Sequence, residues 1–94
     1  MSGSKQKPMW LHDRMLKADG FDDAVVGIGH RCGQISLLVY DVEKCVNILM
    51  TRDGMTLDEA EEFFEFNVAG GWHGAGTPIW LYPNELKNIN LEDY

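Results

Sequence analysis

Apolar positions along the chain fall into short runs, and changes in their period mark the elements. AVVGIG at 24–29 and ISLLVY at 35–40 are rich in β-branched and aromatic residues, as strands are. His30–Gln34 between them is a connection of hairpin length. Asp41 follows the second run and suits an N-cap, after which Val42, Cys45, Val46 and Leu49 recur at helical spacing. The spacing predicts a helix over 41–53, stopped by Gly54 and carrying Cys45 on its buried stripe. The clearest local signal is MTLDEAEEFFEF, where Thr56 and Glu59 can form a capping box and Met55 can staple onto Ala60. Its apolar stripe is Leu57, Ala60, Phe63 and Phe64, with Asp58, Glu61, Glu62 and Glu65 toward water. This second helix should cover 56–69 and fail at Gly70-Gly71. PIWLY at 78–82 is the last strand, its leading proline suited to an edge. Before all of these, Trp10, Leu11 and Met15 predict a short, basic, amphipathic N-terminal helix ending near Gly20.

A small α+β domain follows: a three-stranded sheet (24–29, 35–40, 78–82) with two helices (41–53, 56–69) on one face. Residues 1–19 form a basic N-terminal segment and 20–94 the domain. Strand side chains alternate, so they divide into two sets. We expect Ile35, Leu37, Val39, Ile79 and Leu81 to face the helices. Leu38, Tyr40, Trp80 and Tyr82 would then lie on the opposite face, too apolar to stay wet. Either the N-terminal segment covers them or a second copy does, and a homodimer through this patch is slightly favoured.

At 94 residues there is room for one domain and one modest core. No apolar run approaches the roughly 18 residues that span a bilayer. The basic start does not lead into an apolar signal core, so a soluble, unsecreted protein is expected. Two cysteines suit a reducing cytosol. Residues 1–20 carry Lys5, Lys7, Arg14 and Lys17 against Asp13 and Asp19, while the remainder carries four bases against thirteen acids. The body is therefore acidic and should repel nucleic acid phosphates rather than bind them directly.

Chemistry-bearing residues gather in two places. In GHRCGQ, Cys32 could act as a nucleophile with His30 or Arg31 lowering its pKa, though no orienting third group is identifiable. A small cysteine- and histidine-dependent enzyme or ligand-binding protein with Cys32, His30 and Asp41 near its centre is the alternative reading. A plain turn, with Arg31 pairing Asp41, accounts for the same residues more simply. His30, Cys32, Cys45 and His73 are zinc-ligand types, but their spacing matches no zinc motif, and no metal or other cofactor is expected. RDGMTLDEAEE lacks the alternating acids of a calcium loop. GGWHGAGTP leads into a strand rather than a helix and lacks GK[ST], so it is no phosphate loop. Trp72 and His73 on that turn do suit a binding loop. Six acids between Asp53 and Glu65, uninterrupted by a base, could also imitate a row of phosphates, which adds a nucleic-acid-mimicking inhibitor as a second alternative.

In order, RCGQ, LVYD, RDGMTLDEAEEFFEFN and GTP resemble a family of short, uncharacterised proteins of tailed bacteriophages. The likeness covers about residues 20–81, and His73 departs from it, standing where the family has an apolar residue. The resemblance implies the cytoplasm of an infected bacterium and an accessory role rather than a place in the virion shell. It brings no activity with it. The expected function is a non-enzymatic interaction with a host protein, through Arg31, Gln34, Trp72 and His73.

Overall fold

The structure, a computed structural model, describes residues 15–94. Trp10 and Leu11, and with them most of the expected N-terminal helix, lie outside the described residues. The part that is described, from Met15 to Ala18, is not helical. Leu16 N–H donates to Gly76 O at 3.0 Å, and Ala18 N–H donates to Tyr40 Oη at 2.8 Å. Residues 16–18 are thus tied to the body of the domain, across the expected boundary at 19.

A short 3-10 turn, Asp22–Ala24, leads into β1 (Val25–Gly29), β2 (Leu37–Asp41), α1 (Val42–Asp53) and α2 (Leu57–Phe63). Beyond Phe63 the helix widens into π-helical turns over Phe64–Ala69, then β3 (Ile79–Leu81) completes the sheet. Two further 3-10 turns, Glu85–Asn88 and Leu91–Asp93, end the chain. The sheet order is β1-β2-β3, with β2 antiparallel to β1 and parallel to β3. A parallel pair needs a crossover, and the two helices supply it. The expected α+β architecture is present, each strand trimmed or shifted by one or two residues from the apolar run that predicts it.

Local chemistry sets the helix ends. The Asp41 carboxylate accepts from Lys44 N–H at 3.1 Å, closing the first turn of α1. Gly54 follows α1 at φ +70°, the left-handed residue past a helix end. Thr56 Oγ1 accepts from Glu59 N–H at 3.2 Å, and Thr56 N–H donates to Glu59 Oε1 at 2.9 Å. This is the reciprocal capping box expected of that sequence.

The core is Phe21, Ala24, Tyr40, Cys45, Val46, Leu49, Ala60 and Phe64. Here the expected assignment of sheet faces is reversed. Tyr40 is fully buried, Leu38 and Trp80 pack against the core, and Trp80 meets Phe64 edge-on and Tyr40 at a tilt, centroids 5.3 Å apart in each case. Ile79 and Leu81 point the other way and remain 40% and 43% exposed. Both strand sets are apolar, so alternation separates them without saying which goes inside. Volume decides: the larger rings fill the space beneath two short helices, and the Tyr40 hydroxyl finds a buried partner in Ala18 N–H. The patch expected to pair two copies does not form one open face as named, because Tyr40 is buried in the core, Leu38 and Trp80 are half-buried against it, and Tyr82 alone of the four is exposed.

The open face has its own texture. Val39 is registered against Gly27 on one side and Ile79 on the other, and Leu37 against Gly29. A Cβ at Gly29 would meet Ile79 Cδ1 at 3.0 Å and Val39 Cγ2 at 3.1 Å, so these side chains lean across the glycine. No helix among the described residues is long and apolar enough to cross a membrane.

Candidate functional site

Topology brings the two candidate loops together. The 30–36 connection enters β2, the 70–78 loop enters β3, and these strands run parallel as neighbours. Both loops therefore stand at the same end of the sheet, with strands about 4.8 Å apart. Arg31, Gln34, Trp72 and His73, far apart in sequence, share that end.

Each loop is built by its own chemistry. Gln34 N–H donates to Arg31 O at 2.9 Å, closing a β-turn, and Gly33 occupies its third position at φ +81°. A turn with positive φ there calls for glycine. Cys32 is left at the corner, exposed. His30 Nδ1 and Ser36 Oγ share a hydrogen bond of 3.0 Å, which anchors the histidine to the buried residue just before β2. In the second loop Thr77 acts as a pin. Its hydroxyl accepts from His73 N–H at 2.9 Å and donates to Gly74 O at 2.8 Å, while Gly74 sits at φ +104°. The His73 ring folds back over Gly71, where a Cβ would meet Nε2 at 2.8 Å. Trp72, by contrast, stands 76% exposed on this braced loop.

The alternative grouping of Cys32, His30 and Asp41 is not assembled. Asp41 lies at the far end of β2, about 13 Å along the strand from Leu37, and its carboxylate caps α1. For the same reason Arg31 and Asp41 do not form the local pair that would explain both. Cys45 is inside the core under α1, where burial above all, with some help from Asp41, pushes its thiol from 9.0 up to about 12. A neutral, enclosed thiol is a packing group rather than a ligand or a nucleophile. Among the described residues no three His, Cys, Asp or Glu side chains are arranged to hold a metal ion.

A second concavity lies at the other end of the sheet, where the chain leaves β2 into α1 and β3 into the Tyr82–Glu85 turn. It holds about 540 Å³ between α1, α2 and that turn. Val46, Met50 and Phe64 are among its apolar lining, and Glu43, Glu61, Glu65 and Glu85 are its carboxylates. The sequence places Glu61 and Glu65 on a solvated helix face, or in a row of acids that imitates phosphates, and not in a groove. Their i, i+4 spacing beside Leu57 and Phe64 is the signal that marks a groove wall, but Glu43 and Glu85 join them only through the fold.

The chain matches no protein-family model, no curated protein and no solved structure.

Proposed function

We propose that this protein is a small, non-enzymatic binding protein that contacts a host protein in the cytoplasm of a phage-infected bacterium. The contact surface is the sheet end formed by the 30–36 turn and the 70–78 loop. The carrying observation is Trp72, held 76% exposed on a loop fixed by Thr77. Tryptophan and arginine are the residues that most often carry binding energy at protein interfaces. A loop braced by its own hydrogen bonds loses little entropy on binding. Arg31 and Gln34, both exposed on the turn at the same end of the sheet, add polar groups to that surface. The bacterial setting rests on the sequence resemblance alone.

Affinity capture from a bacterial lysate, followed by mass spectrometry, tests the proposal. The wild-type chain is expected to retain a specific host protein that an Arg31→Ala/Trp72→Ala variant, normal by circular dichroism, releases. Recovery of nothing above background by the wild type, or equal retention by the variant, counts against it.

A further inference from the structure

We infer that the groove between α1, α2 and the Tyr82–Glu85 turn docks a basic amphipathic segment of a partner protein, with an apolar side chain on its floor and lysine or arginine at its rim. This surface lies at the opposite end of the sheet from Arg31 and Trp72 and does not depend on the function proposed for them.

The lining narrows the ligand chemistry from two sides. Among the described residues it contains four glutamates and no lysine or arginine. A wholly apolar ligand would strip water from those carboxylates and leave them without partners, which penalises its binding. A wholly polar cation would satisfy the rim and leave Leu57, 51% exposed, and Tyr82, 45% exposed, in water. A segment with both characters answers both demands, as amphipathic helices do in apolar grooves. The carboxylates act on the groove itself: burial first, then Glu65 and Glu85, hold the Tyr82 phenol above its ordinary range. Glu65 comes from the π-helical turns that continue α2 and Glu85 from the 3-10 turn beyond β3, so negative charge faces the tyrosine from two elements. The walls are also pre-formed. α1 begins at the Asp41 cap and α2 at the Thr56–Glu59 box, so little ordering is left for a ligand to impose. Residues 21–94 carry four bases against thirteen acids, which steers a basic partner toward the molecule before contact.

The test uses the full chain, a fluorescent Leu/Lys amphipathic peptide, and the matching Leu/Glu peptide as control, read by anisotropy. Two variants make the same change of charge in different places: Glu61→Lys/Glu65→Lys inside the groove, and Asp58→Lys/Glu62→Lys elsewhere on α2. The groove pair is expected to weaken binding of the basic peptide by about tenfold or more, and the other pair by less than about threefold. Leu57→Gln, at a half-exposed position, should weaken it several-fold with the circular dichroism of the chain unchanged. Equal losses for the two charge pairs would show attraction to bulk charge and overturn the inference, as would equal binding of the Leu/Glu peptide. A tenfold gain on deleting residues 1–14 would assign the groove to the chain's own basic start and overturn a partner as its occupant.

Discussion

On one face of the sheet Tyr40, Leu38 and Trp80 lie against the helices. On the other, Val39 and Ile79 lie beside the glycines of β1, and Ile79 and Leu81 keep much of their surface in water. Both faces are apolar in composition, so hydrophobicity alone does not separate core from surface in this sheet. What separates them is fit. The covered face carries the large rings, one of which also places a hydroxyl on Ala18 N–H. The open face carries aliphatic side chains that lean over Gly29 and so shield part of one another. The lesson is that a three-stranded sheet with one helical layer can hold a full core on one side only.

The sharpest way to break the comparison is to remove a ring from the covered face. Tyr40→Ala should cost about 3–5 kcal/mol, the range for emptying an aromatic site in a core, and lower the urea midpoint accordingly. If that substitution cost no more than one on the open face, the two faces would not differ as described.

Raising the pH tests the covered side as a whole. Burial lifts the Cys45 thiol from 9.0 to about 12. It also lifts the Tyr40 phenol, against the opposing effect of the Ala18 N–H. Both groups ionise more easily in the unfolded chain than in the folded one. Their contribution is therefore complete below pH 9 and is lost progressively as pH rises toward 12. Thermal midpoints should fall across that window, and Cys45→Ala should flatten the fall. Thiol labelling at pH 8 should modify exposed Cys32 and leave Cys45 untouched until the chain unfolds.

A scale for one lost local interaction comes from Thr56→Ala, which touches neither face. It should cost about 1 kcal/mol through the missing cap, visible as a shift in the denaturation midpoint without a change in slope.

The smallest effects are expected on the open face. Leu81→Ser should cost less than about 1 kcal/mol, because much of the side chain is already solvated. Gly27→Ala should be neutral or stabilising by up to about 1 kcal/mol, since a strand-interior glycine is entropically unfavourable and its new Cβ would meet nothing within 4 Å. Loss of several kcal/mol at either position would reveal a covered surface where an open one is described.

Element type and most boundaries were legible from residues close in sequence. The Asp41 cap, the Thr56–Glu59 box, the glycine beyond α1 and the buried place of Cys45 all depend on neighbours within about one helical turn. The HRC turn was legible for the same reason, since Gly33 alone supplies the positive φ that closes Arg31–Gln34. The widening of α2 beyond Phe63 was not, because the local pattern continues with the same helical spacing through the change.

By itself, then, the order of residues determined the short-range geometry: which segments coil, which extend, and where each stops. Only the tertiary structure decided which apolar set of the sheet turned inward, because alternation is symmetric and packing against Phe64 and Ala18 is not. It alone brought the Arg31 turn and the Trp72 loop to one end of the sheet, through the parallel register of β2 with β3. It alone set Glu43 and Glu85 beside Glu61 and Glu65 around a single groove. Those arrangements join residues far apart in the chain, and no local preference encodes them; they follow from how two helices and three strands bury one face of a sheet together.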